Sequence, residues 1–177
     1  MTRLSLAFTQ LPSVSGWLWT GAFLFIYGYM ALAIAERSSL FTRRFAELEV
    51  GKLALLALVA VISPSLIEEA FYRAVLLPHP SEGASAPNQL FSVLLSLGLY
   101  VGAHPLLAAT FWPWSRRYFY RPAFLLIVTL LGAACSASYL ATGSVYAPLL
   151  IHWLTIVVWK FLYGGPDFRM SRVREKC

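Results

Sequence analysis

Glu68 and Glu69 stand side by side, with Arg73 further along, inside the otherwise apolar stretch Leu53 to Leu77. Ionisable groups at membrane depth are costly, so their presence is by default a functional-site hypothesis. Two later apolar stretches each carry an imidazole, His104 and His152. Two carboxylates and two imidazoles on separate lipid-spanning helices are the components of a hydrolytic site inside a bilayer. On a helix, Glu69 and Arg73 are i,i+4 neighbours and can pair on one face. Glu68 is rotated by roughly 100° from Glu69 and faces another environment. A carboxylate withdrawn from water holds its proton more firmly, which suits a general base or acid. Glu68 is therefore the catalytic candidate, and Glu69 with Arg73 the orienting pair. Tyr100 lies one turn before His104. Pro105 disfavours helical geometry at His104 and predicts a distortion there. His152 shares a helix face with Pro148 and Ile156, and Lys160 lies a turn beyond, where its ammonium reaches the interface.

The elements that must position these residues follow from composition. The chain has 177 residues, of which 59% are hydrophobic and only 12% charged. Soluble domains carry about 25% charged residues, so this is a membrane protein. One domain, residues 1–177, fits the length, and no stretch is polar enough for a large aqueous domain. Five apolar stretches are long enough to span: Trp17–Ala35, Leu53–Leu77, Leu90–Phe111, Pro122–Ala141 and Val145–Tyr163. Alternating patterns with aromatic girdles are absent, which excludes barrel strands. The expected fold is all-α, a polytopic transmembrane bundle of about five spans. Pro64 predicts a break in the second span, because it lacks an amide donor and restricts Ser63.

The net charge of +6 is informative by location. Arg37, Arg43, Arg44 and Lys52 fall between spans one and two, and Arg116, Arg117 and Arg121 between three and four. Arg169, Arg172, Arg174 and Lys176 fill the tail, whereas the alternate segments hold only Arg3. The positive-inside rule then puts the N-terminus outside and the C-terminus in the cytoplasm. Basic residues scattered beside spans do not indicate nucleic-acid binding. Arg3 and the small residues Ala31, Ala33 and Ala35 loosely fit a cleaved signal peptide, but the apolar stretch is longer than a usual one, so an uncleaved first helix is expected. Cys135 and Cys177 would have to meet from opposite membrane levels, and both are expected to be free thiols. Trp112, Trp114, Tyr118, Phe119 and Tyr120 form an interfacial aromatic belt. In span four the pairs Gly132/Ser136, Ala133/Ala137 and Ala134/Ser138 let neighbouring backbones approach. At about 1.5 Å per residue, Glu68 lies about 22 Å from the inner face and His152 about 10 Å from the outer face. Those levels match, and His104 comes out several ångströms deeper.

Glu68-Glu69-Ala70-Phe71-Tyr72-Arg73 resembles the EExxxR motif of the CPBP family, the CAAX-protease and bacteriocin-processing intramembrane proteases. Tyr100-Val101-Gly102-Ala103-His104 is similar to its second motif, an aromatic residue four before a histidine. His152-Trp153-Leu154-Thr155-Ile156 supplies the histidine of the third but has Ile156 where that motif has Asn or another polar residue. The resemblance covers residues 50–163. It implies a glutamate-type endopeptidase in which Glu68 and His104 hold and activate a water, and His152 stabilises the oxyanion. Losing one oxyanion donor costs about 10²–10³ in rate, so Ile156 implies a slower enzyme, and neither Trp153 nor Thr155 occupies its place. No cofactor is expected. Zinc on the Glu and two His is the alternative, although the spacing lacks HExxH. The chain also resembles compact bacterial members of the family, some of which act with C-terminal sorting tags on exported proteins. Expected partners are therefore the lipid bilayer of a bacterial inner membrane and a protein or peptide substrate. The expected substrate is an embedded tail approached from the outer side, not a cytosolic prenylated peptide. A non-catalytic binding or immunity protein of the same fold is the competing reading, and an ion or proton conduit the third.

Overall fold

The computed structural model describes residues 2–40 and 50–163. Arg43, Arg44, the basic residues of the tail and Cys177 lie outside the described residues. Among the described residues every regular element is helical. The chain runs through a short α1 (Arg3–Thr9), the long α2 (Val14–Arg37) and α3 (Val50–Ala60), which continues beyond a kink to Val75. It then enters α4 (Ala86–Thr110), α5 (Pro122–Thr142) and α6 (Tyr146–Tyr163). Four helical stretches are long and apolar enough to cross a membrane, and Tyr146–Lys160 is a shorter apolar fifth.

Local chemistry sets the ends. Ser13 caps α2 by accepting from the Gly16 amide at 3.1 Å. Pro122 opens α5, where its missing N–H costs nothing. Gly143 closes the same helix at φ +68°, a left-handed cap that favours glycine, and its amide donates to the Tyr139 carbonyl at 2.7 Å. The break predicted at Pro64 is present. Ser63 is extended (φ −132°, ψ 121°), the Ser63–Pro64 peptide is cis, and a π-helical turn covers Val61–Leu66.

Large apolar side chains point outward around the bundle: Phe25 is 77% exposed and Phe111 73%. Contiguous apolar surface of this kind belongs against lipid. Inside, α5 is the central helix, packing on α2, α4 and α6. Its small residues serve different neighbours. Ser138 meets Thr20 of α2 at 3.2 Å between hydroxyls. A Cβ on Gly132 would come within 2.6 Å of Leu97 Cδ1 and 3.0 Å of a Tyr100 ring carbon, both on α4. Gly132→Val is accordingly expected to cost about 1–3 kcal/mol by overpacking, read as a lower thermal midpoint in detergent. An unchanged midpoint would mean that α4 and α5 can separate freely there.

The sequence did not anticipate α1. It straps one end of the bundle. The Arg3 guanidinium donates to both Glu82 oxygens at 2.6 and 2.7 Å, and to the Val75 carbonyl at 3.1 Å. Gln10 donates to the Thr142 carbonyl at 2.7 Å, and the Val145 amide donates to the Ala7 carbonyl at 3.0 Å. His79 Nδ1 accepts from the Ser81 amide, leaving Nε2–H to donate to the Gly143 carbonyl at 3.0 Å. Arg3, read as a topology signal, is thus also a structural anchor between the end of the kinked helix and the loop at Glu82.

Candidate active site

Beyond the kink, a single α-helical stretch, Ile67–Glu69, sits between two π-helical turns, the second being Ala70–Val75. Such wide turns recur at functional sites because they re-aim side chains. Here Glu69 and Arg73 turn inward and are fully buried, whereas the Glu68 side chain keeps 24% of its surface exposed. Arg73 Nε lies 3.2 Å from Glu69 Oε2. The guanidinium also donates to Ser96 Oγ at 3.4 Å and lies over the Tyr100 ring, 5.0 Å from its centroid. Ser96 in turn donates to the Tyr72 carbonyl at 2.6 Å. Ion pair, hydroxyl and ring hold the cation in place where water does not reach.

His152 arrives from α6. Trp153 Nε1 donates to the Ala57 carbonyl at 2.8 Å, fixing the rotation of α6 against α3 so that His152 faces inward. The imidazole meets both glutamates. Its Nδ1 is 2.8 Å from Glu69 Oε1, and its Nε2 is 3.8 Å from Glu68 Oε2. Glu69, paired with Arg73, can only accept, so Nδ1 carries the proton and Nε2 is the atom turned to Glu68. Cys135, buried and free, donates to the Pro148 carbonyl at 3.6 Å and adjoins the Glu69–Arg73 pair.

His104 lies elsewhere on the site. Its Nδ1–H donates to the Tyr100 carbonyl at 3.0 Å, and its ring packs edge-on against Tyr100, Phe119 and Phe124. The distortion expected at His104 is absent, because α4 runs unbroken to Thr110 with Pro105 inside it. Proline removes only the N–H that would have reached the Val101 carbonyl, and its neighbours hold the helix in register. The Tyr100 ring fills the interval between the imidazoles, 5.3 Å from His104 and 6.1 Å from His152. Both histidines line one cavity of about 210 Å³, together with Tyr27, Tyr100, Ile156 and Trp159. Glu68 is not part of its wall. The structure therefore joins Glu68, Glu69, Arg73 and His152 into one cluster, with His104 one ring away.

Sequence reasoning missed Ser96 and Tyr27, and read Cys135 as a free thiol without its place beside the Glu69–Arg73 pair. Ser96 had a signal, since it lies one helical turn before Tyr100 and hence on the same face. Cys135 and Tyr27 had none, because nothing in one sequence says which neighbour a residue on another span will meet.

The chain matches, over residues 50–158, the protein family described as Type II CAAX prenyl endopeptidase Rce1-like. It belongs to the Rce1-like family. No curated protein and no solved structure matches it. Rce1-like proteins are CPBP proteins, so the resemblance read from the three motifs is to the right family. Membership implies an intramembrane protease of the CAAX type, a hydrolase that works in a bilayer on a protein substrate. The match takes in α3, the kinked segment, α4, α5 and most of α6. The preceding α1 and α2 fall outside it.

Proposed function

We propose that this Rce1-like protein is an endopeptidase whose proteolytic core, residues 50–163 of a single membrane domain, uses Glu68, His104 and His152 on a water. The observation that carries the reading is the contact of His152 with both carboxylates, 2.8 Å to Glu69 and 3.8 Å to Glu68. Glu69, anchored by Arg73, orients the imidazole from behind, as the third group does in other carboxylate–histidine arrangements. Glu68 is the partly exposed carboxylate of the cluster and takes the proton of the attacking water. His104 has Nε2 left over once Nδ1–H is committed to the Tyr100 carbonyl, and that lone pair can hold the same water. Glu68 passes the water's proton to the neighbouring His152 Nε2, which then donates to the developing oxyanion with the Glu69 carboxylate facing the new charge, and the proton leaves with the departing amine as the C–N bond breaks.

The test is cleavage by the purified protein in liposomes, compared with Glu68→Gln. Unchanged processing removes this mechanism. Cleavage that survives Glu68→Gln but stops with a chelator transfers the reaction to zinc. Among the described residues no group of three or more His, Cys, Asp and Glu side chains is placed to hold a metal ion.

The resemblance to compact bacterial members supports an inner-membrane protein, the charge distribution supports an N-terminus outside, and the level of Glu68 and His152 in the outer half supports a substrate tail approached from that side. Reporter fusions at residues 78–88 are expected to read as external. A cytoplasmic reading there removes that orientation and the outer approach with it.

A further inference from the structure

The cavity beside the histidines is walled by apolar groups apart from a few polar ones. Most of these are already committed. Thr155 Oγ1 donates to the Ile151 carbonyl at 2.8 Å, and His104 Nδ1–H to the Tyr100 carbonyl at 3.0 Å. His152 Nδ1–H is held by Glu69. The Tyr27 hydroxyl is different. Tyr27 is only 5% exposed, and Thr155 lies beside its phenol, yet no group among the described residues meets that hydroxyl in hydrogen-bonding geometry. Two other buried hydroxyls without such a partner, Ser65 and Tyr139, are not on the cavity wall.

A buried hydroxyl left unmade is destabilising, and phenylalanine would fill the same apolar wall without that cost. The hydroxyl is therefore expected to find its partner in something that enters the cavity. Its location narrows what that is. Tyr27 lines the same cavity as His104 and His152 and belongs to one buried cluster with Tyr100 and Cys135, so the phenol borders the space that the His152 imidazole faces. The cavity itself suits an apolar chain segment. Such a segment carries one hydrogen-bond acceptor at every residue, the peptide carbonyl.

We propose that Tyr27 is a catalytic residue whose O–H donates to the carbonyl oxygen of the substrate peptide as that oxygen gains negative charge. This rests on the proteolytic reading above. No covalent bond to Tyr27 forms or breaks, and the phenol keeps its proton throughout. Tyr27 belongs to α2, outside residues 50–158, so the family match does not reach it.

The experiment uses the full chain in liposomes with two internally quenched peptides, one ending in an apolar transmembrane tail and one in a prenylated cysteine motif. Tyr27→Phe removes a single oxygen and is expected to lower kcat by about 10²-fold with KM nearly unchanged. Binding of a peptide phosphinate, which mimics the tetrahedral intermediate, is expected to weaken in parallel. An unchanged kcat overturns the proposal, and so does a loss confined to KM, which would make Tyr27 a packing residue. A kcat loss accompanied by a lower thermal midpoint and unchanged phosphinate affinity overturns it as well. Glu68→Gln run alongside separates the two ideas. If Glu68→Gln cleaves normally, or the wild type cleaves neither peptide, the proteolytic reading fails. If Glu68→Gln is dead and Tyr27→Phe is not, only the role of Tyr27 fails.

Discussion

Glu68→Gln is expected to lower single-turnover peptide cleavage by about 10²–10⁴-fold and to leave the bundle as stable as before. The two halves of that expectation have different origins. Glutamine keeps the shape and the polar end of the side chain but cannot take a proton from water. The site thus loses its base while its packing survives. Stability is spared because Glu68 is weakly tied in: its side chain is 24% exposed and its contact with His152, at 3.8 Å, is too long for a hydrogen bond. Cleavage rates on reconstituted protein and the thermal midpoint of the same preparations measure the two halves. A large fall in the midpoint would show that Glu68 is a structural group, and the loss of rate would then say nothing about chemistry.

Arg73→Met is expected to do the reverse and destabilise the fold by about 3–5 kcal/mol, the cost of breaking a buried ion pair from one side. Arg73 and Glu69 have no exposed side-chain surface, and among the described residues Arg73 is the one arginine or lysine paired with Glu69. Its remaining partner is the imidazole of His152 at 2.8 Å, which can meet the charge only by taking up a second proton. Combining Arg73→Met with Glu69→Gln removes the orphaned charge, so the double variant is expected to recover most of the stability. It is not expected to recover activity, because His152 no longer has an ionised carboxylate behind Nδ1. Denaturant unfolding in mixed micelles resolves these cases. Equal destabilisation in the single and double variants would mean that Arg73 acts by filling space, not by neutralising Glu69.

The contrast between these adjacent glutamates was partly legible in the chain. An i,i+4 spacing brings Glu69 and Arg73 to one helix face, and the turn between successive residues sends Glu68 away from it. Both consequences need only helical geometry, which the apolar length of the span makes obligatory in lipid. The kink at Pro64 was legible for the same reason, since it is a local covalent fact, whereas the small residues of α5 announced close packing but not that the side chains of Leu97 and Tyr100 would fill the space at Gly132. Pro105 shows the limit of such reasoning. The same residue type that accompanies a break at Ser63 leaves α4 unbroken at His104, because packing against neighbouring helices outweighs a local preference. The short α1 was invisible for a related reason: its hold on Glu82, Val75 and Thr142 spans many residues of sequence.

By itself, then, the sequence determined that the chain is a helical membrane bundle, which residues break its apolar spans, and which of them share a helix face. Those are properties of composition and of a period of 3.6 residues. Only the tertiary structure decided that His152, not His104, closes on both glutamates, that Ser96 and Tyr100 hold Arg73, and that Tyr27 lines the cavity beside the histidines. Each of those contacts joins different spans. Their relative rotation and height are set by side-chain packing across the whole bundle, which no single segment encodes.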